Sequence, residues 1–225
     1  MEFLKDNILE KMIVHSGTWE RQPLPGRFAF KFEVEFGWGP ETRLFPDAAL
    51  KVWEGSLQVP GHLMGVEKLW NSFGQQILEW REDRCDFRLT THRGTETGKW
   101  MGPSQVRRES LVFEVEGGID DVLTLTVDGE QYALPVRMLL QGTRIYAQYS
   151  QCERRIIKKF GPTPHYRDDF IWHCAFKFRV RRAVPSPAYT LNESFTTTLD
   201  AGSQYRLRVW LKNGDAAWTS PIFCR

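Results

Sequence analysis

The chain has 225 residues, 41% hydrophobic and 26% charged, and no stretch of it approaches the roughly 20 apolar residues of a membrane-spanning helix. Its 30 basic residues nearly balance 28 acidic ones, and a net charge of +2 excludes a global field for nucleic acid or anionic lipid, so neither is expected as a partner. Nine tryptophans and 15 phenylalanines are the unusual feature; large aromatic side chains suit pleated surfaces, where they pack across strands.

Residues 1 to 14 place Leu4, Ile8 and Met12 at helical spacing, which fits a short terminal helix. Charges at Glu2, Lys5, Asp6, Glu10 and Lys11 break the apolar run that a secretory leader needs, so a cytoplasmic chain is expected. From Arg27 to Phe36 the even positions are Phe28, Phe30, Phe32, Val34 and Phe36, and the odd ones are mostly charged. Strand side chains alternate faces, so this segment reads as a strand with one buried and one wet face. Gly37-Trp38-Gly39-Pro40 follows as a loop in which the Trp38 ring could stack on a sugar or plug the end of the fold. Trp53, Leu57 and Val59 alternate in the same way.

Between Leu63 and Trp80 apolar residues recur every three or four positions, but Gly65, Asn71-Ser72 and Gly74 weaken a helix. A short helix and two irregular strands both fit. Leu111 to Val115 and Leu123 to Val127 alternate again, and Asp128-Gly129 after them reads as a tight hairpin, because both residues tolerate positive φ. Arg154-Arg155 and Lys158-Lys159 read as a solvated loop. Trp172 to Val180 reads as a strand, with His173, Lys177 and Arg179 on its wet side. Val184-Pro185-Ser186-Pro187 is too short to separate folded units and reads as an inter-strand loop. Tyr205, Leu207 and Val209 oppose Arg206, Arg208 and Trp210, and Asn213-Gly214 marks another hairpin.

This pattern predicts an all-β protein, an antiparallel β-sandwich of jelly-roll-like or immunoglobulin-like form with room for one or two short helices. One domain over 1–225 is expected, with 1–26 as an N-terminal extension. Cys85, Cys152, Cys174 and Cys224 are too scattered for a zinc or redox motif, and free buried thiols are the expectation.

Chemistry is sparse. No HxH or HExxH pair, GxSxG elbow or phosphate-cradling loop occurs. His165, Asp168, Asp169 and His173 are the one cluster able to hold a metal or move protons, and a solvated turn is the competing reading. Trp38, Trp100 and Trp210 are candidate stacking platforms. Arg206 and Arg208, if their strand adjoined that of Lys177, Arg179 and Arg181, would give a cationic patch; cross-strand pairing with Glu33, Glu35, Glu114 and Glu116 is the simpler use.

Tyr205-Arg206-Leu207-Arg208-Val209-Trp210, then Asn213-Gly214, then Ala217-Trp218-Thr219-Ser220-Pro221-Ile222-Phe223, resembles the ending of the C-terminal β domains of bacterial PHP-superfamily metallohydrolase-like proteins. Phe36 to Pro40, Trp53 to Val59, Leu134-Pro135-Val136 and Leu139 to Gly142 resemble the same region. In that family the metal-binding histidines belong to a preceding catalytic barrel, and nothing in this chain matches it. The resemblance therefore implies an accessory β domain, alone or cut from a larger protein, with a catalytic domain or other protein as partner. A non-catalytic accessory or interaction module is the leading expectation, with no cofactor; a carbohydrate- or small-ligand-binding sandwich and a metal-assisted hydrolase are the alternatives.

Overall fold

The first residues of the chain are extended rather than helical. In the computed structural model, which describes residues 1–14, 24–68, 75–93, 106–162, 168–190, 192–210 and 216–225, β1 (Glu2–Lys5) and β2 (Ile8–Met12) form an antiparallel pair. Asp6 and Asn7 join them with φ of 47° and 68°, a left-handed step that short polar side chains tolerate and that fits a two-residue hairpin. The spacing of Leu4, Ile8 and Met12 is thus a coincidence across a turn.

Two compact units divide the chain, Leu24–Ser186 on one side and Met1–Pro23 with Pro187–Arg225 on the other. A single domain behind a 1–26 extension was the expectation. The N-terminal strands instead belong to the C-terminal unit, and the break falls inside the Val184–Pro187 stretch that reads as a simple loop. Alternation reports which residues are strands, but carries nothing about which strand at one end of a chain pairs with which at the other.

The larger unit is a β-sandwich. One sheet takes β3 (Phe28–Trp38), β5 (His62–Lys68), β9 (Glu109–Gly117), β12 (Arg144–Ala147), β13 (Lys177–Val180) and β14 (Val184–Pro185), ordered β12-β13-β3-β9-β5 with β14 beside β3. The other takes β4 (Leu50–Gln58), β6 (Gln75–Trp80), β7 (Arg84–Arg93), β8 (Val106–Arg107), β10 (Val122–Val127) and β11 (Glu130–Pro135), ordered β11-β10-β4-β7-β6 with β8 beside β7. All pairings among the described strands are antiparallel, as the one-sided burial predicts. Phe28, Phe30, Phe32, Val34 and Phe36 are none of them more than 5% exposed. Phe36 meets Trp53 and Phe87 of the facing sheet at ring separations of 5.1 and 5.9 Å. Asp128 and Gly129, with φ of 50° and 84°, make the expected β10–β11 turn. The described parts of the Leu63–Trp80 stripe are strands β5 and β6, the second of its two readings, and 69–74 lie outside the described residues.

Apart from a short 3-10 helix at Pro46–Ala49, the described helices of this unit follow one another along the chain. After α1 (Val136–Gln141) come α2 (Tyr149–Phe160) and α3 (Asp168–Cys174). Arg154-Arg155 and Lys158-Lys159 therefore lie on a helix, not in a loop. Cys152 and Ile156, four apart, form its buried stripe, Lys158 and Lys159 sit favourably in its last turn, and Gly161 at φ 81° ends it with an N–H donated to the Ile157 carbonyl at 2.9 Å. The expected strand over Trp172–Val180 is half helix: α3 holds Trp172, His173 and Cys174, and only Lys177–Val180 is extended. Short apolar alternation cannot tell the two apart. No described helix is long and apolar enough to cross a membrane.

The smaller unit holds α4 (Ser186–Tyr189), the first part of which belongs to the boundary, and β15 (Gln204–Trp210), β16 (Ala216–Trp218) and β17 (Ile222–Phe223). With β1 and β2 they form a sheet ordered β16-β15-β1-β2, β17 also pairing with β15. One face of it carries Phe3, packed against Phe195 at 4.9 Å and stacked on Tyr205 at 5.5 Å.

Candidate functional site

The opposite face of the smaller sheet follows from register. Glu2 pairs with Arg208 on one side and Met12 on the other, and Arg208 pairs with Trp218. Directly paired residues share a face, so Met12, Glu2, Arg208 and Trp218 make one row across four strands. Trp210 and Arg206 flank that row on β15, two residues away in each direction. Gln204, on the same face, pairs with Phe223.

Glu2 organises the centre of the row. Its Oε2 accepts the Arg208 Nε–H at 2.6 Å and the Trp210 indole N–H at 3.1 Å, and the Arg208 guanidinium lies 5.2 Å from the centre of the Trp210 ring. The Arg208 hydrogen bond, with a smaller contribution from Trp210, holds the Glu2 carboxyl below its ordinary 4.5 against the opposing pull of burial. The charges are thus answered within the row while the apolar groups are not: Met12 is 55%, Trp210 52%, Trp218 65% and Phe223 69% exposed.

Trp210, Arg206 and Arg208, three of the residues that sequence singles out, therefore share a face. Trp38 lies elsewhere, at the end of β3 in the larger unit. Two guanidiniums, of Arg108 and Arg179, lie over its ring at 4.9 and 5.0 Å. Beside it Glu35, buried at 6% exposure, accepts from Arg179, from Arg181 at 2.9 Å and from Arg108 at 3.3 Å. Burial pushes the Glu35 carboxyl up, but the three arginines together outweigh it and hold it below its ordinary value. The Trp38 ring is thereby engaged by its own chain.

The strands that a joint cationic patch would need side by side are not paired neighbours. β13, carrying Lys177 and Arg179, and β15, carrying Arg206 and Arg208, belong to different sheets and different units. Cross-strand pairing is what the charges do instead: Arg181 with Glu33 at 3.0 Å, Lys31 with Glu114 at 3.5 Å, and Arg208 with Glu2.

Trp100 and His165 lie outside the described residues. Asp168 and Asp169 open α3, their side chains outside what is described, and His173 is exposed on that helix rather than on a wet strand face. Among the described residues no three His, Cys, Asp or Glu side chains form a metal-holding group. The cysteines are free, with Cys85, Cys152 and Cys174 buried and Cys224 half-buried; burial pushes the Cys85 thiol up to about 12 and the Cys152 thiol up to about 11, which keeps both protonated and unreactive at neutral pH.

Sequence reasoning passed over Glu2, Met12, Trp218 and Phe223. Trp218 carried a signal, since a hairpin turn ahead of Ala216-Ala217-Trp218 puts an aromatic beside the Arg206–Trp210 strand. Glu2 carried none, standing 206 residues from the arginine it binds. Comparison with protein-family models, curated proteins and solved structures finds no match to the chain. What fold and face define is an all-β protein of two units, the smaller with an open aromatic face.

Proposed function

We propose that the chain is a non-catalytic interaction module that docks a protein partner through the Trp210–Trp218 face of its smaller unit. The observation that carries this is the row in which exposed Met12 and Trp218 flank half-buried Arg208, with exposed Trp210 beside it. Trp, Met and Arg are the side chains enriched at the centres of protein interfaces, and a few such anchors usually dominate the binding energy. The Glu2–Arg208–Trp210 hydrogen bonds fix the anchors in place before any partner arrives, which lowers the entropy cost of docking. The segment that resembles the ending of accessory β domains is the one that forms β15 to β17, which supports a hydrolase or an assembly as the class of partner.

A photo-crosslinking residue at position 218 tests this in the cells that make the protein, with position 88, on the exposed side of β7, as reference. The reading expects a discrete crosslinked species from 218 and none from 88, abolished by Trp210→Ala. Crosslinks of equal yield and pattern from both positions would refute it.

A glycan is the second reading, favoured by the charged pair beside an open indole at Trp218. It expects a saturable shift or quench of Trp emission with at least one member of a glycan panel, lost in Trp218→Ala. A flat response across the panel removes it.

A further inference from the structure

A cavity of about 150 Å³ opens in the larger unit, lined by Gln151, Cys152, Arg154 and Arg155 of α2 and by Cys174 and Phe176. Against the roughly 30 Å³ that one water occupies in the liquid, it has room for a compact polyatomic ligand. The charge of its lining selects the sign of that ligand. Arg154 and Arg155 bring two guanidiniums, which stay protonated under all ordinary conditions. Among the described residues the acidic side chain paired to them is Asp47, 3.4 Å from the Arg155 Nη2 and 68% exposed, a surface pair worth little.

Arg155 is also held in position. Its guanidinium stacks 4.9 Å from the Phe176 ring centre and 5.9 Å from that of Phe45, which fixes its plane. Its Nη1 is buried and finds no acceptor among the described residues. A buried donor of this kind carries a desolvation cost.

The two thiols decide between a soft metal ion and an anion. Burial pushes the Cys152 thiol up to about 11 and raises the Cys174 thiol as well. A metal would need them as thiolates and would face two guanidiniums; an anion meets neutral S–H groups and attraction from both arginines.

We propose that this cavity binds a small tetrahedral oxyanion of the phosphate class, with Arg155 as the fixed fork, Arg154 as the flexible second cation and the Gln151 amide, which also donates to the Glu130 Oε1 at 3.5 Å, as a neutral donor. Arginine matches such an anion bidentately, which a planar carboxylate also permits but with fewer oxygens to satisfy a second guanidinium and an amide.

Isothermal titration with inorganic phosphate at constant ionic strength tests the assignment on the full chain. Saturable binding is expected for the wild type, weakened at least tenfold in Arg155→Met and several-fold in Arg154→Met. Should Arg155→Met fail to fold, Arg154→Met, whose side chain is exposed, decides alone. Absence of saturable heat overturns the proposal. So does equal binding by wild type and Arg154→Met, which marks a general ion effect, or acetate binding as tightly as phosphate, which removes the tetrahedral class.

Discussion

The two units treat tryptophan differently. In the sandwich, Trp53 is fully buried, its ring 5.1 Å from Phe36 and 5.7 Å from Phe176, its N–H donated to the Thr91 hydroxyl at 2.8 Å. In the smaller sheet, Trp210 and Trp218 are 52% and 65% exposed, and among the described residues the only hydrogen bond of either indole goes from Trp210 to Glu2. A buried, satisfied Trp is explained by the stability it gives. An exposed pair on one sheet face, beside Met12 and Phe223, adds apolar surface that folding leaves in water, and such patches mark interaction sites. The same contrast holds for charge: Glu35 ties three arginines into the sandwich surface, whereas Glu2 braces one arginine and one indole on an open face.

Truncating the two kinds of Trp breaks that comparison most sharply. Trp53→Ala should cost about 4 kcal/mol, through a large cavity and an orphaned Thr91 hydroxyl, read as the urea midpoint of the sandwich transition. A loss of under about 1 kcal/mol there would mean that the core is not organised around this ring. Glu35→Gln should come next. It leaves three guanidiniums without their shared carboxylate, and since these are partly exposed the loss should be about 2 kcal/mol rather than that of a fully buried pair. Circular dichroism melts of the two proteins in parallel would check it, with a lower melting temperature expected for the variant and an unchanged one contradicting the node's role.

Acid should act on the smaller unit in a smaller and more local way. The Glu2 carboxyl is held below its ordinary 4.5 in the folded chain, so its contribution is complete above 4.5 and is lost as pH falls through the depressed folded value. The emission of Trp210, obtained by subtracting a Trp210→Phe spectrum, should change only in that acidic range. In Glu2→Gln the transition should vanish; its persistence would show that another group reports on the indole.

How much of this was legible in sequence depends on distance along the chain. Phe28–Phe36 declared its strand and its buried face, because period two is a local property. Asp128-Gly129 declared its hairpin by turn chemistry. The α2 helix was legible too: Tyr149, Cys152, Ile156 and Phe160 recur every three or four residues, but the flanking Arg and Lys pairs pointed to a loop instead. Trp172 to Phe178 was not legible, because four apolar residues two apart fit the end of a helix followed by a short strand as well as one strand. Least legible was the site itself. Arg206, Arg208 and Trp210 announced one strand face, but the residues that complete it, Glu2 and Met12, arrive from the other end of the chain by backbone pairing that no local pattern encodes.

The most direct test asks whether the aromatic row acts as one surface that stability does not need. A photo-crosslinker at Met12, at the far end of the row from Trp218, should give the same crosslinked species as one at 218. In the Trp210→Ala/Trp218→Ala protein that yield should drop at least tenfold while the urea midpoint shifts by no more than about 0.5 kcal/mol per substitution. Undiminished crosslinking, or a smaller unit that unfolds without its two indoles, would contradict the account.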